Sequence, residues 1–474
     1  MNHFSASLAP RLPLCCALCA TLLCACADVS MPAYRRPDTP AKATFSQKES
    51  LTVSAADTIA PDWWKGFHDP YLDSLVSRAI QGNIDIRILA ARTRVADAQI
   101  GEARAGALPA LDAGAGAAFE KVTGQKFSKQ FNLGTQVNWD VDVWGKVEKG
   151  VQAQKAEFRA SEADWRAGYL TMVADVASDY FQILQLDEQA AAQQRALDRS
   201  RQILSTYEAM HATGLLPNTR VLQQRAEINR LTSDLLELRR SRDLAGNALA
   251  TLLGVPAGEF TVPPGRLQQV VQLPPVPAGL PSELLKRRPD VVAAEYRVLE
   301  AYDLVGQAKL AQLPSISLTG RGGTASFALT DLLRTFTVGL LPSINFPLFD
   351  PGVKARIKTS EAQTEVAEQQ YRRTVIGAFE DVENALVNLD AHKKQRAELL
   401  QQVEQLRTVQ QQFAGQLREG VVSQLDVFES ERSLLSAQLA LLANHQQLLS
   451  DTVTLYKAMG GGWPAVDVGA AAAR

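Results

Sequence analysis

The chain has 474 residues, enough for one large domain or several small ones, and its 49 Lys+Arg against 51 Asp+Glu give a formal net charge of −2. Those charges are mixed along the chain with no block of lysine and arginine, which removes nucleic-acid binding from consideration. No apolar run is long enough for a transmembrane helix, so an integral helical membrane protein is excluded as well.

All five cysteines (Cys15, Cys16, Cys19, Cys24 and Cys26) lie within or just after the short apolar run from Leu12 to Ala25, which Arg11 precedes and small residues close. Residues 1–25 therefore read as a secretory signal peptide, too short to span a membrane as a mature anchor. It ends Leu23-Cys24-Ala25-Cys26, which resembles a bacterial lipobox. The resemblance implies cleavage before Cys26 and acylation of that residue. The alternative is an ordinary signal cut nearby, with Cys26 a stray thiol that no remaining cysteine could pair. Two or more acyl chains anchor a protein stably. Ala27 stands where an Asp tends to retain bacterial lipoproteins at the inner membrane, so the same resemblance implies the outer one. Residues 26–62 are polar, contain Pro32, Pro37, Pro40 and Pro61, and read as an extended lipidated tether.

Order begins at Trp63. In Phe67-His68-Asp69-Pro70, Asp69 suits a helix N-cap and Pro70 the first helical position. Helix continues through Leu75 and Ala79, breaks near Gly82-Asn83, and resumes from Ile86 to Ala107. Leu108-Pro109 ends it, because proline disfavours α conformation in the residue before it. The period then changes. From Phe131 to Val143 the odd positions are Phe, Leu, Thr, Val, Trp, Val, Val and the even ones Asn, Gly, Gln, Asn, Asp, Asp. This is a two-faced strand, 131–143, of a length that spans an outer membrane. Residues 110–120 form a weaker, glycine-rich partner. After Trp144-Gly145 helical spacing returns, with Val173, Val176, Tyr180 and Ile183 in one stripe. The proline-free stretch to residue 212 predicts a helix roughly 100 Å long. Gly214 breaks it, Pro217 follows, a second helix runs to Leu253, and Gly254 leads to a proline-rich connector at 257–281.

The series then recurs. Leu313-Pro314 answers Leu108-Pro109, and Gly352 answers Gly145; Gly420 answers Gly214 and Gly460 answers Gly254, both 206 apart (420 − 214 and 460 − 254). Strands are predicted over 315–324 and 335–348, the second with Phe336, Val338, Leu340, Ile344, Phe346 and Leu348 on one face. Helix follows from Asp350-Pro351-Gly352 along a seam of Val375, Phe379, Val382, Leu386 and Leu389 and turns near Gly420. It returns along a heptad seam of Leu435, Leu439, Leu442, Leu449, Val453 and Tyr456, vacant only at Gln446. The chain thus reads as a tandem duplication, residues 63–256 (tip near 214) and 282–460 (tip near 420), with a flexible tail at 461–474.

Four strands with one apolar face cannot close a barrel, and open strand edges cannot face lipid with unpaired backbone groups. Several chains must share one barrel, and three chains of four strands give about twelve, within the known range. The expected fold is an α+β membrane protein: a trimeric twelve-strand outer-membrane β-barrel continuous with a long periplasmic coiled-coil barrel of α-helices.

A set of motifs accompanies this pattern: Trp64…Phe67-His68-Asp69-Pro70, Leu108-Pro109, Trp139-Asp140-Val141-Asp142-Val143-Trp144-Gly145, Arg287-Arg288-Pro289-Asp290-Val291…Glu295, Leu313-Pro314-Ser315-Ile316-Ser317-Leu318 and Phe346-Pro347-Leu348-Phe349-Asp350-Pro351-Gly352. In order and spacing, over nearly all of the mature chain, they resemble the outer-membrane efflux lipoproteins of the TolC/OprM class, in the NodT-like branch that serves RND pumps. The resemblance implies a homotrimer docked at its periplasmic tips to an adaptor (membrane fusion) protein. Through it the duct passively conducts drugs or other small toxic compounds delivered by an inner-membrane RND transporter. The alternatives are the outer-membrane duct of a type I protein secretion system and a non-pore periplasmic coiled-coil scaffold. The lipobox and the Trp64…Asp69-Pro70 entry favour the first reading, and the alternating strands argue against the scaffold.

Asp426 and Glu429 follow Gly420 closely. The resemblance implies that acids here line the periplasmic aperture, where threefold repetition would favour cations. As an isolated pair they read equally as a solvated helix face. Leu417 and Val422 stand where the best-known gate of the class has a polar pair, which leaves Leu417, Val421 and Val422 as apolar gate candidates. Gly214, Leu215, Gly420 and Val421 are expected at the tips that meet the adaptor. Arg287-Arg288-Pro289-Asp290 reads as a structural helix entry. His3, His68, His211, His392 and His445 are scattered without metal-ligand spacing, and there is no P-loop. No enzymatic activity, metal or cofactor is expected beyond the covalent lipid on Cys26.

Overall fold

The computed structural model describes residues 33–39, 59–124, 126–265, 267 and 286–462. The signal peptide, Cys26 and most of the proline-rich connector lie outside the described residues. Capping chemistry sets where the helices start. Asp69 accepts hydrogen bonds from the backbone N–H of Tyr71 (2.8 Å) and Leu72 (3.3 Å) and opens α1 (Pro70–Gly82), with Pro70 at its first position. Asn83 ends α1 and caps α2 (Ile84–Ala105) through the N–H of Ile86. β1 (Ala110–Glu120) and β2 (Ser128–Val141) follow. Asp142 then turns inward and accepts from the N–H of Val147 and Glu148, so β2 stops before the expected Val143 and α3 (Lys146–Ala212) begins. After α3 the chain folds back as α4 (Asn218–Leu252).

The second half has α5 (Pro289–Leu310), β3 (Ser315–Ser326), β4 (Thr337–Asn345), α6 (Pro351–Arg418) and α7 (Gln424–Ala458). Phe346 and Leu348 fall beyond β4 rather than on its face. Pro347 lies between them and has no N–H to give to a ladder.

The strands form one antiparallel sheet in the order β1-β2-β3-β4, so β1 and β4 are its edges. Register aligns Leu111, Val137, Gly320 and Leu340 in one cross-strand row, and Asp112, Gln136, Arg321 and Gly339 in the next. Because strand side chains alternate, one face gathers Leu111, Leu133, Val137, Trp139, Leu318, Val338, Leu340 and Ile344, and the other gathers Asp112, Gln136, Asn138, Thr319 and Arg321. The apolar face is bare: Val338 is 80 % exposed and Leu340 68 %.

Helices α3 and α6 have 67 and 68 residues, each about 100 Å long. Above, α2, α3, α5 and α6 lie side by side as a wall continuing from the sheet; below, α4 packs on α3, and α7 packs on both α6 and α3. The core sits where the two levels meet. Phe67, Leu72 and Leu75 insert against Val173, Val176, Tyr180 and Ile183 of α3, with Leu386 of α6 and Leu449 and Val453 of α7 in the same cluster. Trp63 stacks on Tyr456 with centroids 5.2 Å apart. Tyr180 donates to Asp69 at 2.8 Å, so the capping carboxylate also ties α1 to α3.

The α6–α7 seam is more polar than its leucines suggest. Asn444, His445, Asp451 and Thr452 are buried beside Leu448, Leu449 and Leu455, and His392 Nδ1 lies 2.6 Å from Asp451. Burial, reinforced by the positive charge of Arg396, holds the His445 imidazole well below its usual range, at about 4, so it is neutral at ordinary pH.

Several ties of the first half have a counterpart in the second. Asn83 Nδ2 donates to the carbonyl of Leu252 (2.9 Å), and Arg288 Nη1 donates to that of Ala458 (3.1 Å), 206 residues on (458 − 252). The cap on the N–H of Val147 has its counterpart in Asp350 on the N–H of Val353. Gly254 and Gly460, with φ of 72° and 89°, end α4 and α7 against the backbone of Gly82 and Arg287 respectively. The Arg288 entry is thus structural: buried, and bonded to Asp290 (2.7 Å) and Asp381 (2.9 Å) as well.

The contact at Gly82 is testable. A Cβ there would lie 2.1 Å from the carbonyl oxygen of Leu253, whereas a Cβ at Gly246, inside α4, meets nothing within 4 Å. Gly82→Ala is expected to lower stability by about 1–3 kcal/mol in denaturant titration, and Gly246→Ala to leave it unchanged or raise it. Equal behaviour of the two variants contradicts the close approach.

Candidate functional site at the hairpin tips

Both hairpins turn by the same backbone device. At the first tip the N–H of Gly214 donates to His211 O and that of Leu215 to Met210 O, both at 2.9 Å. At the second the N–H of Gly420 donates to Leu417 O (3.1 Å) and that of Val421 to Gln416 O (2.9 Å). This is the Schellman pattern, which requires a left-handed residue after the helix. Gly214 and Gly420 supply it with φ of 74° and 75°. The apolar residue that usually folds back onto the helix points outward here instead. Leu215 is 73 % exposed and Val421 69 %.

The helices leaving the tips start differently. Pro217 precedes α4 with no side-chain cap bond. Ser423 and Asp426 form a capping box at the start of α7: the Asp426 carboxylate accepts from the N–H (2.8 Å) and the hydroxyl (2.6 Å) of Ser423, whose Oγ accepts from the N–H of Asp426. The hydrogen bonds from the Ser423 hydroxyl and backbone hold that carboxylate below its ordinary range. Asp426 therefore has a structural duty that residue spacing alone did not disclose. Glu429, one turn on, is exposed and pairs with Arg432 at 2.8 Å. Leu417 and Val422 are half-buried beside the exposed Val421, so the three apolar gate candidates flank the Gly420 turn.

Just above the tips the two hairpins touch through residues not singled out from the sequence. Arg199 of α3 pairs with Glu431 of α7 at 3.0 Å, and Tyr207 meets Phe428 edge-on at 6.3 Å. Between the hairpins lie cavities of about 300 and 190 Å³, with Glu227, Phe428 and Arg432 lining both. Burial raises the Glu431 carboxyl above its usual range, and Arg199 opposes that shift. Among the described residues no cluster of three or more His, Cys, Asp or Glu side chains could hold a metal, and no helix is long and apolar enough to cross a membrane.

The profile of the outer membrane efflux protein family matches residues 75–255 and 280–461. The pyoverdine export outer membrane protein OpmQ of Pseudomonas putida is 31% identical over 88% of this chain and 92% of its own. The cation efflux system protein CusC of Escherichia coli is 30% identical over 95% of this chain and 98% of its own. The open-state structure of the Neisseria gonorrhoeae MtrE outer membrane channel superposes with a TM-score of 0.83 at 30% identity, covering 91% of this chain and 98% of that one.

The capping box is open to a direct test. Ser423→Ala should loosen the first turn of α7 by about 1 kcal/mol, read as roughly fivefold faster amide exchange there. Since the Asp426 carboxylate is held low, the box is complete above the ordinary carboxylate range and is lost only as pH falls through the lowered value. Exchange at Asp426 and Val427 that ignores the substitution contradicts the assignment.

Proposed function

The chain belongs to the outer membrane efflux protein family, and on that premise we propose that three copies form the exit duct of a tripartite RND-type efflux system. The duct passively carries drugs or other small toxic compounds from the pump across the periplasm and outer membrane. The family is one of conducting ducts rather than enzymes, and its members reside in the outer membrane and project into the periplasm.

The observation that carries the proposal is the four-stranded sheet with one exposed apolar face and two open edges. Setting β4 of one copy against β1 of the next leaves no edge, and three copies give about twelve strands. The apolar face then meets lipid and the Asp112–Gln136–Arg321 row lines the lumen. The four-helix wall repeats into a ring below. The ties recurring at 206 residues support a tandem duplication, so each copy brings two hairpins and a trimer six.

The tips hold Leu215 and Val421 outward on Gly214 and Gly420, which suits them to meet a periplasmic adaptor. Asp426 and Glu429, on consecutive turns just behind the second tip, are placed to ring the aperture, with Leu417, Val421 and Val422 as its apolar closure. Acylation of Cys26 supplies the anchor. OpmQ is named for pyoverdine export and CusC for cation efflux, yet both stand at nearly the same identity to this chain. Cargo choice on this reading belongs to the pump and adaptor.

Purified protein should conduct ions across a planar lipid bilayer; silence in every state sinks the duct. In the same assay Asp426→Ala combined with Glu429→Ala should lower the preference for cations, and unchanged selectivity removes the acidic ring.

A further inference from the structure

The polar face of the sheet takes its side chains from the even positions of β1 and β2 and the odd positions of β3 and β4, as the register sets them. Within the four strands that face carries three acids, Asp112, Glu120 and Asp140, and a single base, Arg321. Arg321 is the seventh of the twelve residues of β3 (321 − 315 + 1), so it stands at mid-height of the sheet.

Nothing on the wall holds it. Arg321 is exposed, and its guanidinium makes no hydrogen bond or ion pair among the described residues. Gln136, its neighbour in the cross-strand row, turns its amide to the next row and donates to Asn138 (2.8 Å), which also accepts from Thr319 (3.4 Å). Asp112 lies two strands away in the same row, a separation of about 10 Å, too far to pair. On the other side stands Gly339, and the row farther from the helices holds Gly114, Gly134 and Gly323. These glycines and Arg321 line a hollow of about 650 Å³. A charge that pairs with nothing adds nothing to the wall, so its effect falls on what passes the wall.

In the proposed trimer, about twelve strands spaced about 4.8 Å apart and tilted about 40° enclose a ring about 24 Å across. Three copies of Arg321 then project into the lumen at one level. At about 0.1 M salt the Debye length is about 10 Å, so their fields overlap near the axis. A guanidinium fork also matches the paired oxygens of carboxylates and phosphates.

We propose that Arg321 sets the charge preference of the barrel: three guanidinium groups at one level form a cationic station that opposes the surrounding acids and lets compounds bearing carboxylate or phosphate groups leave through a lumen that would otherwise repel them. The station rests on the trimeric duct.

Charge selectivity is measured in planar bilayers, both in the otherwise native chain and in the Asp426→Ala, Glu429→Ala background, so that the aperture does not mask the barrel. In about 0.1 M KCl, Arg321→Gln should raise the cation-to-anion permeability ratio about twofold or more, and Arg321→Lys should keep it near wild type. In about 1 M KCl, where the Debye length is about 3 Å, the difference should vanish. Arg321→Cys, as the only cysteine in a Cys26→Ala chain behind a conventionally cleaved signal, should react with charged, water-soluble methanethiosulfonates, whereas Val338→Cys on the apolar face should not. A reagent carrying a quaternary ammonium should restore the wild-type ratio, and one carrying a sulfonate should move it further toward cations. A ratio unchanged by Arg321→Gln in both backgrounds overturns the station, and so does an Arg321→Cys thiol that fails to react in a conducting protein. Wild type silent in every state overturns the duct and the station with it.

Discussion

Within one chain, β1 bonds only to β2 and β4 only to β3, so each edge strand leaves the outward-directed half of its N–H and C=O groups without strand partners. β1 has 11 residues and β4 has 9. In hydrocarbon each unpaired group costs several kcal/mol, and their sum exceeds the roughly 5–15 kcal/mol by which a domain is stable. A sheet with this exposed apolar face therefore needs its edges closed before it can enter a membrane. In the proposed trimer, copies of the same chain close them, and the threefold ring, the lumen and the convergence of hairpin tips follow from that pairing.

Below the sheet the two halves of the chain do similar work. Each half must return a long hairpin to the base of its own wall helix, and both do so through a side-chain donor on the last carbonyls of the returning helix. Asn83 serves Leu252 in the first half, and Arg288 serves Ala458 in the second. The chemistry differs and the position does not. The arginine also holds Asp290 and Asp381, which explains why a charged entry marks the second half where a small amide suffices in the first.

Much of this was legible because it is periodic or local. The switch from period 3.6 to period 2 and back marks β2 and β4, β1 reads only as their weaker glycine-rich partner, and the Asp69 cap and the tip glycines announce helix ends within a few residues. Long-range polar pairing was not legible. Arg199 and Glu431 lie in separate helices, and nothing near either names the other. Glu295 stood in a recognisable motif, but its partners Tyr34 and Arg36 sit in a stretch that reads only as polar tether. The pair of half-buried His392 and buried Asp451 hides behind a leucine seam whose heptads are regular enough to mask it. In the sequence Asp426 stands out by its charge, whereas its hydrogen bonds make it a cap first.

In the proposed trimer β1 of one copy pairs with β4 of another, and three such joins close the ring. All five native cysteines lie within the first 26 residues, so in a Cys26→Ala background with a conventionally cleaved signal, cysteines introduced on the two edges report on these joins alone. Oxidative cross-linking of membrane-inserted chains carrying one cysteine along β1 and one along β4 should yield covalent dimers and trimers, ending at three. Chains that stay monomeric at every pair of positions, or a ladder that continues past three, contradict a closed ring of three.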